Sequence, residues 1–442
     1  MPGSGIAECG TESRLKLGVF EMATFAPPPG TADIFADEAR RWRNLENTAA
    51  AVFSRYGYGE LRTPVFEYTE VFQKGLGNET EVVQKEMYTF EDRGGRSLTL
   101  RPEGTAGVMR ALSCTDVMNG VEQRVYYYGP MFRGERPAAG RRRQFHQVGV
   151  ENVGRVAPLI DAECIAMLMD YLHSIGITDA KLAINTRGVM EDRGPAGKLL
   201  ADYFGRHIDG MCDDCKARLT RNVWRILDCK QEACRKVVAE APDYVASFSE
   251  ASRAYFDEVR AALTALGVEY TVDPLLVRGL DYYVHTVFEV THGGLGAQTA
   301  IVGGGRYELY LPGQKKPVPG VGFAAGMERL LMVQDALGLG APASPVLPVY
   351  LVGLGEEARI ANLKLAGELR RAGIRVELEL EERSFKAQLR NVNKSGALLA
   401  VIRGEEELKK GVAAVKTMAT GEQIELADPE LAGYLIGFAR NL

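Results

Sequence analysis

Segment 126–151 constrains the fold of this chain more than any other part of the sequence. It contains YYYGPMFRGERPAAGRRRQFHQVGVE, in which two runs rich in tyrosine, phenylalanine and valine flank a glycine-containing turn. This pattern predicts a β-hairpin. Arginine forks bind phosphate bidentately, which suits a triphosphate or an RNA backbone. A solvated hairpin is the alternative, but it would not require an arginine inside a strand at Phe132–Arg133. The turn carries five arginines: Arg133, Arg136, Arg141, Arg142 and Arg143.

Segment 98–110, LTLRPEGTAGVMR, places a carboxylate and a hydroxyl in a turn just before a predicted helix. There Glu103 and Thr105 could receive an ammonium group. Taken alone, Glu103 fits an N-terminal helix cap better than a ligand contact.

Three further segments place arginines in strand-like or glycine-rich surroundings. Segment 276–290, LVRGLDYYVHTVFEV, sets Arg278 beside paired tyrosines, and an arginine in an apolar strand is costly to bury without an anionic partner. Segments 303–310 (GGGRYELY) and 320–333 (GVGFAAGMERLLMV) place glycines ahead of an arginine, which is Arg329 in the second. Glycine lets a backbone approach a ligand closely. His285, in a strand with apolar neighbours, is interpreted as structural.

The composition is that of a globular protein with several domains. The 442 residues are 46% hydrophobic and 25% charged, with a formal net charge of −5. A globally basic nucleic-acid binder is therefore excluded, although a local basic face can still bind RNA. No apolar run reaches the roughly 18–20 residues of a membrane span, and no secretory signal opens the chain. We expect a cytoplasmic protein with no membrane contact and a disordered extension at residues 1–21.

The C-terminal part alternates between strand and helix patterns. After a linker at 338–348, rich in proline, glycine and alanine, the order is strand, helix, strand, helix, strand and a hairpin around Gly421. This order predicts a small α/β domain with a mostly parallel centre at 349–442. The strand-rich stretch before the linker predicts an antiparallel sheet with helices on one side.

Motif by motif, the chain resembles the histidyl-tRNA synthetases of class II. TPVFEYTEVF around Pro64 resembles the dimer-forming motif 1, FRGERP with RRRQFHQVGVE resembles motif 2, and GMERL resembles motif 3. LVRGLDYY and GGGRY are the two elements peculiar to the histidine enzyme. The motif-2 loop departs from many family members, which carry glutamine where this chain has Ala138.

The resemblance implies an α+β fold with a class II antiparallel catalytic sheet and flanking helices. It further implies a catalytic domain in two parts, 22–186 and 267–337, separated by a mostly helical insertion at 187–266. The C-terminal domain at 349–442 would bind the anticodon.

The resemblance also implies a role for each matching residue. Arg133 and Arg278 would be catalytic, with Arg278 between the histidine carboxylate and the α-phosphate. The histidine-binding residues would be Glu103, Gly104 and Thr105 for the amino group with Gln147 nearby, and Glu151, Tyr282 and Tyr283 for the imidazole. The ATP-binding residues would be Arg133, Arg141 and Arg329.

The implied reaction joins L-histidine to tRNA(His) through histidyl-adenylate, with Mg²⁺ bound to ATP and a homodimer formed through motif 1. Two alternatives share the fold. A synthetase-like regulatory subunit of ATP phosphoribosyltransferase typically lacks the C-terminal domain and loses ATP-binding residues. A pure RNA-binding or signalling module would not need Arg133, Arg278 and Arg329 together.

Four of the seven cysteines, Cys212, Cys215, Cys229 and Cys234, lie within the insertion. The order C-x-x-C, thirteen residues, C-x-x-x-x-C could supply four thiolates to a structural Zn²⁺. The second spacing is looser than in usual zinc patterns, and cysteine often serves as a small buried apolar residue. Both interpretations stay open.

A basic stripe marks one predicted helix of the C-terminal domain. Arg383, Lys386, Arg390 and Lys394 are spaced three, four and four residues apart, which predicts one helix face. Phe385, Leu389 and Val392 would take the opposite face. The stripe could be only a solvated face, but the resemblance to an anticodon-binding module favours a tRNA contact.

Arg278→Ala should slow adenylate formation by about 10²–10³-fold, because one preorganised donor to the developing charge is lost. The affinity for histidine should fall less than the rate. Single-turnover adenylation measures the rate, and a near-wild-type value would remove Arg278 from the mechanism.

Overall fold

The computed structural model describes residues 26–76, 80, 82–138, 140–277, 282–296, 299–310, 314, 316–340 and 346–442. The predicted extension at 1–21, Arg278 and part of the predicted linker lie outside the described residues. The chain divides into two compact units, residues 1–342 and 343–442. No helix in the described ranges combines the length and the apolar character that crossing a membrane requires.

The first unit alternates strands and helices along the chain. Its strands are β1 (Gly59–Glu60), β2 (Phe66–Tyr68), β3 (Thr89–Glu91), β4 (Ser97–Leu100), β5 (Gln123–Phe132), β6 (Gln144–Val153), β7 (Lys181–Thr186), β8 (Thr271–Val272), β9 (Tyr283–Thr291), β10 (Ala300–Tyr310) and β11 (Pro317–Gly326). Its α-helices are α1 (Ala36–Arg55), α2 (Thr69–Leu76), α3 (Thr105–Leu112), α4 (Pro158–Ser174), α5 (Met190–His207), α6 (Asp213–Arg221), α7 (Glu232–Ala239), α8 (Glu250–Ala265) and α9 (Met327–Ala336).

An eight-stranded sheet forms the centre of this unit, in the order β1-β5-β6-β11-β10-β9-β7-β8. The six central strands are antiparallel, and β1 and β8 are added in parallel at the two edges. The predicted antiparallel sheet is therefore confirmed. The predicted hairpin is also confirmed, since β5 pairs with β6 from Gln123↔Val153 to Phe132↔Gln144.

Helices cover one face of this sheet with a continuous apolar core. In α1 the buried residues are Trp42, Leu45, Ala49, Val52 and Phe53, a spacing that keeps one stripe of the helix against the sheet. Helices α4, α8 and α9 contribute to the same core. The opposite face of the sheet carries a second cluster, to which α3 contributes.

The predicted insertion contains two kinds of packing. Residues from α5, α6 and α7, and the chain up to Phe248, form a separate apolar cluster that includes Cys215, Cys229 and Cys234. Helix α8 instead buries Phe256 and Val259 in the main core beside the sheet. Leu275 and Val277 also pack against the insertion cluster, so this cluster borders the segment that leads to Arg278.

The second unit follows the predicted alternation. Its strands are β12 (Val349–Gly353), β13 (Val376–Leu378), β14 (Leu399–Arg403), β15 (Val412–Thr417) and β16 (Gln423–Ala427). Its helices are α10 (Glu356–Arg371), α11 (Phe385–Ser395), α12 (Glu405–Lys410) and α13 (Asp428–Arg440). The sheet order is β13-β12-β14-β15-β16, parallel over the first three strands and antiparallel over the last three. The predicted parallel centre and the hairpin around Gly421 are confirmed.

The basic stripe differs from its prediction at its first residue. Helix α11 begins at Phe385 after the Ser384 cap, so Arg383 lies before the helix and not on its face. Its guanidinium pairs with Glu381 at 3.0 Å and with Glu379 at 3.5 Å.

The opposite face of α11 also differs, because Phe385 is exposed and Gln388 is fully buried. The Gln388 amide donates to the Gly353 carbonyl at 2.9 Å and accepts from the Gly353 N–H at 3.1 Å. A pattern based on apolar residues could not reveal this polar contact.

Candidate active site

A buried carboxylate lies on the face of the large sheet that carries the second apolar cluster. Glu151, on β6, is 1% exposed. Its Oε1 accepts a hydrogen bond from the Thr105 hydroxyl at 2.7 Å, and its Oε2 accepts one from the Tyr307 hydroxyl at 2.7 Å. Thr105 begins α3 and Tyr307 lies on β10, so three separate elements converge on one carboxyl group.

Burial raises the pKa of Glu151 to about 8, because the charged form loses its hydration. The two hydroxyl donors act against this shift, and the charge of Glu103 adds to it. The raised pKa favours the protonated form of Glu151 near neutral pH. A neutral carboxyl group can both donate and accept a hydrogen bond, which suits a ligand that carries one donor and one acceptor.

Glu103 caps the helix that carries Thr105. Its carboxylate accepts the backbone N–H of Thr105 at 2.6 Å and that of Ala106 at 2.9 Å. The capping role that the sequence favoured is thus present. Burial raises the pKa of Glu103, while the two N–H groups lower it.

Glycines on this face make room for large side chains of neighbouring strands. A Cβ at Gly104 or Gly149 would overlap the Tyr127 ring, and a Cβ at Gly320 would overlap the Tyr307 ring. In the sequence, the strand glycines predict a close approach of the backbone to a ligand. Their contacts are instead with the side chains that line the face.

The tyrosines of the predicted histidine site lie beside Tyr307. The ring centroid of Tyr282 is 4.7 Å from that of Tyr283 and 5.7 Å from that of Tyr307. Tyr283 is opposite Tyr307 in the β9–β10 ladder, and its carbonyl accepts a hydrogen bond from Arg193 of α5. Tyr307 was not predicted as a site residue. The alternation of GGGRY on a strand could have shown that it faces opposite to the preceding arginine.

That preceding arginine, Arg306, lies on the helix-covered face and is 0% exposed. Its guanidinium pairs with Asp161 of α4, with 2.8 Å from Nε to Oδ1. The glycines ahead of it in the segment 303–310 predict an arginine available to a ligand. Strand alternation instead turns it into the protein interior.

Gln147 shares the face of Glu151, four residues earlier on β6. Its Oε1 is buried and has no hydrogen-bond partner among the described residues. A buried acceptor without a donor is unfavourable, so this atom can receive an N–H group of a ligand.

Three arginines surround the hairpin turn at the end of β5 and β6. Arg133 donates from Nε to the Pro102 carbonyl at 2.9 Å, and its Nη1 is 3.9 Å from Glu135. Arg141 reaches the other oxygen of Glu135 at 3.3 Å. Arg329, from α9, donates to the Gly140 carbonyl at 3.3 Å. Burial, followed by the charge of Arg141, lowers the pKa of Arg329.

The arginine group adjoins the carboxylate pocket. Arg133 bonds to the residue before Glu103, and its charge lowers the pKa of Glu103. The arrangement therefore joins an anion-binding group to a pocket with buried hydrogen-bonding groups. A molecule with both an anionic part and a polar side chain would fit both ends.

The four cysteines of the insertion come together. Their Sγ atoms all lie within 4.8 Å of one another, and those of Cys212 and Cys229 are 3.8 Å apart. The Cys212 N–H donates to the sulfur of Cys234 at 3.2 Å. The backbone N–H of Cys215 lowers the pKa of the Cys212 thiol, whereas burial raises the pKa values of Cys215 and Cys234.

Comparison with known proteins gives consistent matches along the chain. The histidyl-tRNA synthetase family matches residues 30–197 and 205–330, and the anticodon binding domain family matches residues 348–437. Histidine–tRNA ligase of Halothermothrix orenii is 48% identical over 401 residues, or 90% of this chain and 96% of that protein. The enzyme of Anoxybacillus flavithermus is 47% identical over 409 residues, or 91% and 97%.

Solved structures agree. The crystal structure of apo S. aureus histidyl-tRNA synthetase superimposes with a TM-score of 0.77 at 35% identity, covering 93% of this chain and 100% of that one. An ATP phosphoribosyltransferase regulatory subunit/histidyl-tRNA synthetase from Bacillus halodurans C superimposes with a TM-score of 0.60 at 22% identity, covering 87% and 98%. The second likeness concerns the fold alone.

Glu151→Gln should change how stability depends on pH. Between pH 4.5, the ordinary pKa, and about 8, folded Glu151 holds a proton that the unfolded chain has lost. Its stabilising contribution is full below pH 4.5 and is lost as the pH rises through about 8. The melting temperature of the wild type should fall relative to that of Glu151→Gln across this window. If the melting temperatures of the wild type and Glu151→Gln change by the same amount from pH 5 to pH 8, the shifted pKa is contradicted.

Proposed function

Because this chain belongs to the histidyl-tRNA synthetase family and attaches L-histidine to tRNA(His) with ATP, we propose that Glu151 and its hydroxyl partners form the pocket for the histidine side chain. Glu151 and Tyr283 bind the imidazole nitrogens, and Tyr282 lines the pocket. The observation that carries this proposal is the fully buried Glu151 carboxyl group, held by Thr105 and Tyr307.

Selectivity follows from burial. An imidazole has one donor and one acceptor nitrogen when neutral, which complements a protonated carboxyl group and a tyrosine hydroxyl. An amino acid without these groups would leave the buried polar atoms unpaired. A site of this kind rejects such analogues by about 10⁴–10⁵-fold without an editing step.

The amino group of histidine is assigned to Glu103, Gly104, Thr105 and Gln147. The buried Glu103 carboxylate supplies negative charge, and the unpaired Oε1 of Gln147 supplies an acceptor. Gly104 leaves space for the Tyr127 ring, which keeps the turn close to the sheet. An ammonium group would then have at least two acceptors in a site of low dielectric.

The phosphates of ATP are assigned to Arg133 at the α-phosphate and to Arg141 and Arg329 at the rest of the triphosphate. Arg141 and Arg329 lie close enough for one charge to lower the pKa of the other. An anion between them would relieve this repulsion. The reaction joins two anions, the histidine carboxylate and the α-phosphate, so it depends on positioning and charge neutralisation. Arg133 and Arg278 are proposed to supply these.

Enzymes of this family generally use Mg²⁺ with ATP. Magnesium prefers oxygen ligands, and the carboxylates of Glu135 and Glu289 act electrostatically on Arg329 at the proposed phosphate site. Their carboxylate oxygens would hold the ion, which would neutralise part of the triphosphate charge.

The anticodon-binding domain implies a tRNA partner. We assign its tRNA face to Lys386, Arg390 and Lys394, which are exposed on α11, with Arg383 just before the helix. Each cation near a phosphate would release counterions on binding. As an enzyme of translation, the protein is assigned to the cytoplasm.

A homodimer is proposed through the small sheet β2-β4-β3, which contains the motif-1 segment. Apolar side chains are exposed here: Val65, Phe66, Tyr68, Tyr88 and Phe90. Phe66 and Phe90 lie with ring centroids 6.3 Å apart. A contiguous exposed apolar patch marks an interaction site.

The four insertion cysteines are proposed to bind one structural Zn²⁺. Tetrahedral Zn–S bonds of about 2.3 Å would separate the sulfurs by about 3.8 Å, which is the separation of the Cys212 and Cys229 sulfurs. Three of the four cysteines are buried in the insertion cluster, so the ion would join α6 and α7 at its centre. The competing interpretation is that the four cysteines serve only as small apolar residues of the insertion cluster.

Glu151→Ala should raise the KM for histidine by on the order of 10²-fold and leave the KM for ATP nearly unchanged, because the lost contact is to the side chain of histidine alone. ATP–pyrophosphate exchange measures both constants. Glu308→Ala is the matched control, since Glu308 is an exposed carboxylate next to Tyr307. An unchanged KM for histidine would place the imidazole contact elsewhere.

Elemental analysis of protein purified without chelator or affinity metal should find about one zinc per chain. Cys212→Ser should lower this content and weaken tRNA charging more than adenylation, since no cysteine belongs to the ATP or histidine site. Cys114→Ser, which removes an exposed cysteine, is the control. Zinc-free protein with all four insertion thiols reactive in the folded state would refute the site.

A further inference from the structure

Strand β9 contains a bulge directly behind the proposed histidine pocket. In its ladder with β10, Gly305 is opposite Val287, but Arg306 is opposite Val284. The two extra residues are His285 and Thr286. Without them, His285 would be opposite Tyr307, so the bulge moves β9 by two residues, or about 7 Å. This shift places Tyr283 opposite Tyr307.

The bulge has a strained backbone. Among the described residues, His285 is the one non-glycine residue with a positive φ, +47°. Such a conformation persists only where the surroundings hold it. Two residues on the helix-covered side of the sheet, Asp161 of α4 and Tyr255 of α8, contact the bulge.

Asp161 connects every part of this arrangement. Its Oδ2 accepts the Thr286 hydroxyl at 2.7 Å and the Tyr255 hydroxyl at 3.1 Å. Its Oδ1 accepts Arg306 Nε at 2.8 Å. The Tyr255 ring in turn stacks on His285, with centroids 4.0 Å apart and planes at 19°. Asp161 thus contacts Thr286 and Arg306 directly and reaches His285 through Tyr255. The backbone of His285 bonds separately to the Arg187 N–H and the Gly188 carbonyl, at 2.7 Å each.

A buried ion pair is a poor source of net stability, because desolvation offsets the attraction between the charges. Asp161 and Arg306 are both 0% exposed, so the pair has the full cost of burial. The contacts of this pair with Thr286 and Tyr255 instead favour one register between β9 and β10. Arg306 and Tyr307 are neighbours on β10, which couples the ion pair on one face to the pocket on the other.

We propose that Asp161 is a positioning residue for histidine recognition: it holds the β9 bulge that brings Tyr283 beside Tyr307 and Glu151. This inference rests on the proposed function of the Glu151 pocket. Asp161 itself does not touch the substrate, and it acts through Thr286, Tyr255 and Arg306.

Thr286→Val tests the inference, because it keeps the side-chain shape and removes one donor to Asp161. The KM for histidine and its dissociation constant by calorimetry should rise about tenfold, with the KM for ATP unchanged. Thr286→Ser, which restores the hydroxyl, should return both histidine constants to near wild type. Tyr255→Phe, which removes the other donor to Oδ2, should have an effect in the same direction as Thr286→Val.

Val290→Ala is the matched control, because Val290 lies in the core on the same strand but outside the bulge. It should lower the melting temperature without changing the histidine constants. If the histidine constants of Val290→Ala rise as much as those of Thr286→Val, Asp161 contributes only to general stability and the inference is overturned. Unchanged histidine constants in both Thr286→Val and Tyr255→Phe would also overturn it. The proposal for the Glu151 pocket is tested separately: it is overturned if Glu151→Ala leaves the KM for histidine unchanged.

Discussion

Alternation of side chains along β10 is the constraint on which the active-site half of this protein depends. Adjacent strand residues point to opposite faces of a sheet, so Arg306 must face the helices when Tyr307 faces the pocket. The same backbone therefore carries an ion pair with Asp161 and a hydrogen bond to Glu151. A shift of the β10 backbone at this point would change both contacts, because Arg306 and Tyr307 are adjacent residues.

Burial of Glu151 imposes the second requirement, which is space. A carboxyl group, two tyrosine rings and a threonine hydroxyl must fit on one face of a closely spaced sheet. Glycines at 149, 320 and 322 provide the volume, since a Cβ at each position would overlap Tyr127, Tyr307 or Glu151. The glycines of these strands therefore make room for neighbouring side chains, and the proposed ligand contacts belong to those side chains.

Local patterns predicted the elements well, because the hairpin of 126–151 and the alternating tail depend on short-range periodicity. Long-range pairing was harder to predict. Arg306 follows three glycines, as a ligand-binding arginine could. Its strand face and its ion pair with Asp161, which is distant in sequence, show that it lies in the protein interior. Arg383 has helical spacing, but the Ser384 cap starts the helix after it. To predict Tyr307 as a site residue, one must know which face of the sheet holds Glu151.

The arginine group and the Glu151 pocket differ in how their polar groups are paired. Each oxygen of Glu151 accepts one hydrogen bond from a neighbouring hydroxyl, whereas the charge of Arg141 lowers the pKa of Arg329, and Glu135 pairs with both Arg133 and Arg141. With Arg133 and Arg329 held by backbone carbonyls, this group of like charges is suited to an incoming anion, which would reduce the repulsion. In the proposed function, the pocket would select by complementarity to one side chain, and the arginines would stabilise the transition state by charge. Because Arg133 donates a hydrogen bond to the carbonyl of Pro102, the residue before Glu103, the arginine group is tied directly to the turn that carries the proposed amino-group site.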